Sequence, residues 1–158
     1  TGTPWHWYAG DSAAVGCGWT SPQPYSRHDV AVIDMAPGIS AARLEAMLTP
    51  RPEAVLLRAY GVGNVPSDEP GLTDVIADVL HDGVPVVIAS QCQQAEVLLG
   101  HYETGDAIAR AGAIGSGDMT LEATYAKIMF LLSQGVTGAD FGKWMHTSIA
   151  GEISPSSL

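Results

Sequence analysis

Ala54-Val55-Leu56-Leu57, followed by Arg58-Ala59-Tyr60-Gly61-Val62-Gly63-Asn64-Val65-Pro66, is the stretch that decides the fold of this chain. An apolar run without polar alternation is the pattern of a strand covered on both faces. Two glycines and a proline close behind it mark a loop at the strand end. The same grammar holds on either side. Upstream, Val30-Ala31-Val32-Ile33-Asp34-Met35 reads as a buried strand closed by Pro37-Gly38, after which Ser40 is placed to cap a helix from Ala41 to Leu48. Leu44, Met47 and Leu48 would form its apolar face.

Downstream, Leu72, Val75, Ile76, Val79 and Leu80 fall at helical spacing before a stop at Gly83. Val84-Pro85-Val86-Val87-Ile88-Ala89 is a third strand, opening into Ser90-Gln91-Cys92. The stretch around Gly100 to Gly105 reads as irregular, with a short helix near Asp106 to Ala111 and a brief apolar run at Ala113-Ile114. Helices at Thr120 to Ser133 and Ala139 to Thr147 complete the pattern, with Asp118 or Thr120 capping the first of them. Apolar strands separated by helices give an α/β fold. The expected form is a small parallel sheet of about four strands flanked by helices, Rossmann-like and built from right-handed crossovers. Ligands of such sheets bind beyond the carboxyl ends of the strands, which points to the loops 58–64 and 90–96.

The chain has 158 residues, enough for one domain with a substantial core. With 46% apolar residues, 15% charged residues and a mean hydropathy of +0.14, it is not the composition of a disordered protein. A formal net charge of −10 argues against nucleic acid as a partner and against docking on anionic membranes. The longest apolar runs, Val84 to Ala89 and Ile128 to Leu132, are too short to span a bilayer. Cys17 and Cys92 match no zinc or redox spacing; a single bridge between them is one possibility, and two free thiols in a reducing cytosol the simpler one. The five histidines are dispersed without metal-ligand spacing, so no metal and no cofactor is expected. Residues 1–28 hold Trp5, Trp7 and Trp19 without sustained periodicity and read as a loop-rich lead-in or linker, leaving 29–158 as the domain. No initiating Met and no signal peptide stand at Thr1-Gly2-Thr3-Pro4-Trp5, and the expectation is a chain processed, trimmed or cut from something longer.

Residue by residue, several chemistries are open. Arg58, at a buried strand end, can hold a ligand carboxylate with its fork or pair with a local Asp or Glu. Gly61-Val62-Gly63-Asn64 lacks the third glycine of a dinucleotide loop and the Lys-Ser/Thr of a phosphate loop. Asn64 can donate and accept through one amide, which suits an amino-acid ligand, although a turn asparagine has the same look. Cys92, flanked by Gln91, Gln93 and Gln94, has no histidine beside it and reads as a small, semi-buried cysteine rather than a catalytic thiolate. Thr1 has the form of an N-terminal nucleophile but lacks the context for one, and reads as a fragment end.

Taken in order, Pro37-Gly38-Ile39-Ser40, Leu57-Arg58-Ala59-Tyr60-Gly61-Val62-Gly63-Asn64, Ser90-Gln91-Cys92, Tyr102-Glu103-Thr104-Gly105 and Gly117-Asp118-Met119-Thr120-Leu121-Glu122-Ala123 resemble the C-terminal domain of L-asparaginases. The likeness covers roughly residues 29–152 and is to the bacterial type I, cytoplasmic branch, with the archaeal subunit of tRNA-dependent amidotransferases as a close relative. It implies that the catalytic threonines belong to an N-terminal domain bearing Thr-Gly-Gly-Thr and Gly-Thr-Asp-Thr segments, neither of which occurs here. No catalytic residue is therefore expected in this chain, which would be inactive alone. The resemblance assigns substrate binding in a neighbouring subunit to Asn64 and Glu96, and an allosteric asparagine site to Arg58, Ala59 and Cys92, where Ala59 replaces a frequent Ser. It further implies L-asparagine as ligand, an N-terminal asparaginase domain as partner, and a homo-oligomer, dimer or tetramer. The alternatives are a non-catalytic amino-acid-binding module and a subunit of a tRNA-dependent amidotransferase, the latter disfavoured by the acidic charge.

Overall fold

A computed structural model describes residues 22–61, 63–65, 69–92, 97 and 108–154. Its centre is a parallel sheet of four strands in the order β1-β2-β3-β4: β1 (Val30–Asp34), β2 (Ala54–Ala59), β3 (Val86–Ser90) and the short β4 (Ile114–Gly115). The described helices are α1 (Ala41–Met47), α2 (Leu72–His81), α3 (Leu121–Ser133) and α4 (Gly138–Met145), and residues 108–110 are also helical. Neighbouring strands align Asp34 with Arg58 and Arg58 with Ala89, and Ala59 with Ser90. The polar residues of three strands thus meet at one end of the sheet.

The unbroken apolar run of β2 is explained by two cores. Val55, Leu57 and Ala59 point to one face, joining Ile33, Met35, Val86 and Ile88 beneath Leu44, Leu48, Leu72, Ile76 and Val79 of α1 and α2. Ala54 and Leu56 point to the other, joining Val87, Ala89 and Ile114 beneath Ile128, Leu131, Phe141 and Met145 of α3 and α4. Successive crossovers of one hand along a sheet that grows in one direction put α1 and α2 on the same side. The helices after β4 then cover the side left bare.

Ser40 caps α1 as its position suggests, its hydroxyl accepting from the Arg43 amide at 3.2 Å. Met47 does not join the core: it is 48% exposed, because the stripe of this two-turn helix that meets the sheet is the Leu44–Leu48 pair. Strand β2 runs on to Ala59, so Arg58 belongs to the ladder rather than to the loop. Strand β3 begins at Val86 and ends at Ser90, although the Pro85 carbonyl still accepts from the Val55 amide. Thr120 is the cap of α3, and Asp118 instead accepts from the Ser154 amide at 2.9 Å. Of the lead-in, residues 1–21 lie outside the described residues, as do 155–158. Residues 22–28 lie along the end of α3, where the Gln134 side-chain amide bonds the Gln23 backbone in both directions (2.7 and 3.1 Å).

A buried ion pair that the sequence pattern does not announce fixes the C-terminal turn. The Lys127 ammonium, 3% exposed, donates to the carbonyls of Met145 and Thr147 and pairs with the Glu152 carboxylate at 2.5 Å. Glu152 also accepts from the Ile149 and Ala150 amides, and Ile153 beside it enters the core. Burial pushes the Glu152 carboxyl up, but the bonds from Lys127 and the backbone amides outweigh it and hold its pKa below the ordinary value of 4.5. A carboxylate with a depressed folded-state pKa stabilises the protein above its unfolded value, and that contribution disappears as pH falls through the folded value. Lys127→Met is expected to cost about 3 kcal/mol in urea unfolding at pH 7, since it strands a buried carboxylate. Lowering the pH from 5 to 3 should destabilise the parent chain more than a Lys127→Met/Glu152→Leu double variant. Parallel pH profiles would count against the pair.

Candidate functional site

The carboxyl ends of β1, β2 and β3 form the polar mouth of the sheet, and each group there is placed by the register. Arg58 shares the Leu56 face of β2, and its Nη1 donates to both carboxylate oxygens of Asp34 across the ladder (2.8 and 3.0 Å). Among the described residues its Nε is buried with no hydrogen-bond partner, as is the Tyr60 hydroxyl. A buried donor left without an acceptor costs about 1–3 kcal/mol. Of the two readings of Arg58, the local ion pair is the one seen: Nη1 holds Asp34, while Nε has no partner among the described residues.

Gln91 ties the strand ends together. Its Nε2 donates to the Met35 carbonyl at 2.6 Å and to the Arg58 carbonyl at 2.8 Å, while its backbone amide donates to Ala59. One side-chain amide thus serves the ends of β1 and β2 from the end of β3. Nothing in the spacing of Ser90-Gln91-Cys92 identifies this role; it needs the three-strand register.

The glycine turn is equally explicit. Tyr60 and Asn64 exchange backbone hydrogen bonds, each 2.8 Å long, and the Gly63 amide also donates to the Tyr60 carbonyl. Gly61 (φ +51°) and Gly63 (φ +114°) take the conformations that let so short a segment reverse, which a side chain at either place would resist. The turn leaves Asn64 half-buried at the mouth. The Ser90 hydroxyl donates to the Gly61 carbonyl and accepts from the Cys92 amide.

The remaining expected residues fall differently. Ala59 is fully buried in the core beneath α1 and α2. Cys92 is a free thiol and exposed, not semi-buried as expected, because the ladder ends at Ser90 and only its backbone is held. Glu96 lies outside the described residues. No group of three or more His, Cys, Asp or Glu side chains among the described residues could hold a metal ion. No described helix is long and apolar enough to cross a membrane.

The sequence profile of the Glutaminase/Asparaginase C-terminal domain matches residues 29–145, spanning β1 to α4 and every element of this mouth. The chain belongs to that family. Within it, L-asparaginase 1 of Escherichia coli is 38% identical over 135 residues, covering 85% of this chain and 38% of that protein. A glutamyl-tRNA(Gln) amidotransferase subunit of Pyrococcus furiosus is 33% identical over 126 residues, covering 80% of this chain and 28% of its own. The crystal structure of L-asparaginase I from Vibrio cholerae superposes with a TM-score of 0.77 at 36% identity, over 84% of this chain and 40% of that one. This asparaginase C-terminal domain thus spans about two fifths of the length of the first of these relatives. The likeness to type I enzymes inferred from the motifs and the parallel α/β fold both hold.

Gln91→Ala removes one donor group from two carbonyls and should lower unfolding free energy by about 1–3 kcal/mol, measured by denaturant titration. Gln91→Glu, which replaces the donor with an acceptor, should be at least as damaging. A loss below about 0.5 kcal/mol in both variants would show that water replaces the tie.

Proposed function

We propose that this chain is the C-terminal portion of an L-asparagine amidohydrolase, converting asparagine and water to aspartate and ammonia only together with an N-terminal asparaginase domain. The observation that carries this reading is the family match over 29–145, with the Arg58-to-Asn64 segment at the carboxyl ends of the sheet. In it, a threonine hydroxyl of the partner domain attacks the side-chain amide carbon of the substrate. Ammonia leaves, and water releases the acyl-enzyme. This chain contributes no nucleophile. Asn64 presents its amide to the substrate in a neighbouring protomer of a homo-oligomer, and Glu96 is the second contact. Such orientation by a residue that makes no bond to the reacting atom can lower a barrier by several kcal/mol.

Arg58 and Cys92 belong to a second, regulatory asparagine site in the same reading, while Ala59, assigned to it by the resemblance, has its side chain in the core and offers a ligand no contact. Support comes from the Arg58 Nε and the Tyr60 hydroxyl, buried groups without hydrogen-bond partners among the described residues, and from the Asp34 carboxylate beside Arg58. No cofactor is invoked, and the compartment proposed is the cytoplasm, as for the type I branch that the chain resembles.

A second reading has one observation in its favour, the identity with the archaeal amidotransferase protein. The net charge of −10 weighs against contact with tRNA. A gel-shift titration with tRNA(Gln) at low salt separates the two, and no shift is expected. A purely amino-acid-binding module is the third, and complementation decides against or for it.

The test is ammonia release from L-asparagine by the purified chain, alone and after mixing with an N-terminal domain of a type I asparaginase. No turnover alone and turnover in the mixture are expected. Turnover by the chain alone would place a nucleophile within these residues, and an inactive mixture would favour the binding module. In the active mixture, Arg58→Ala should abolish a sigmoidal response to asparagine; unchanged cooperativity would remove the regulatory role.

A further inference from the structure

The turn that carries Asn64 is closed on itself and re-enters the core at Val65. Its internal backbone bonds run between Tyr60 and the Gly63-Asn64 pair. Its two glycines occupy conformations with little intrinsic resistance to rotation. Ala59, the last β2 residue in the ladder, pairs with Ser90. Past that point, a hydrogen bond from the Ser90 hydroxyl to the Gly61 carbonyl joins the turn to the neighbouring strand. A serine hydroxyl is normally a free rotor with one proton and two acceptor sites. Here the Cys92 amide donates to that oxygen at 2.9 Å, which takes up one acceptor site and leaves the proton directed at Gly61.

We propose that Ser90 is a positioning residue for Asn64: its hydroxyl, held by the Cys92 amide, anchors the glycine turn at Gly61 and so contributes to where Asn64 stands. This rests on the reading of Asn64 as a substrate contact. Ser90 touches no substrate itself. It acts through the backbone of Gly61, and the requirement at position 90 is a hydroxyl rather than a particular size. Threonine meets that requirement and alanine does not.

Amide hydrogen exchange of the 158-residue chain, read residue by residue by NMR, tests the anchor without any ligand. Ser90→Ala should speed exchange at Gly63 and Asn64 by up to about tenfold, the loss of one hydrogen bond. Ser90→Thr should restore the parent rates. The amides of Ile128 and Leu131, on the far face of the sheet, should be unchanged in both variants. Unaltered rates at Gly63 and Asn64, or acceleration spread evenly over the chain, would overturn the anchor.

The consequence for the substrate is tested in the complemented assembly by a double-mutant cycle on kcat with L-asparagine. Ser90→Ala should lower kcat in the parent background and have no further effect in an Asn64→Ala background, with Ser90→Thr recovering the parent value. Additive losses would overturn the proposal. An Asn64→Ala variant with parent activity would instead refute the reading of Asn64, and with it any positioning for substrate, whatever the exchange rates show of the anchor.

Discussion

A sheet whose strands all run the same way has two faces to cover and puts every strand end of one kind on the same side. Both demands are met here through β2 and β3, whose side chains alternate between two cores. Leu56 and Leu57 are buried on opposite faces, so a slip of one residue in register would exchange the two cores. The same register brings Asp34, Arg58 and Ser90 to adjacent strand ends. The mouth of the sheet is therefore a by-product of core packing, and its chemistry needs no separate scaffold.

What the packing leaves undone, short polar links complete. The Gln91 amide holds two carbonyls, the Ser90 hydroxyl holds a third, and Asp34 holds one arm of Arg58. Each link crosses between strands or joins a strand to a turn, so the polar end of the sheet is stiffened by side chains where the ladder stops. The Arg58 Nε and Tyr60 hydroxyl stand apart from this scheme as buried groups that the described residues leave without partners. They are the polar groups at this end of the sheet that the links leave over.

The elements themselves were legible because their signals are local. The Ser40 cap, the apolar spacing of α2 and the runs of β1 to β3 each reside in a few adjacent residues. The exposed Met47 and the extension of β2 through Arg58 were not, because both depend on what lies opposite in space. At the mouth, Arg58 and Asn64 could be singled out from residue type and loop composition. Gln91 and Ser90 could not, since their roles are defined by carbonyls from Met35, Arg58 and Gly61, far away in sequence. Lys127 was hidden for a further reason: a charged residue within a helix is normally solvated, and only the returning C-terminal turn encloses it.

That enclosure has a chemical consequence. Lys127 and Lys143 are the lysines of this chain, and with Lys127 donating to two carbonyls and a carboxylate, its nitrogen has no lone pair to offer an acylating reagent. Lys143, on α4, is exposed. Apart from the terminal amine, amine-directed crosslinkers and surface coupling therefore grip the folded chain by a single side chain. That grip lies on α4, packed against the Leu56 face of the sheet.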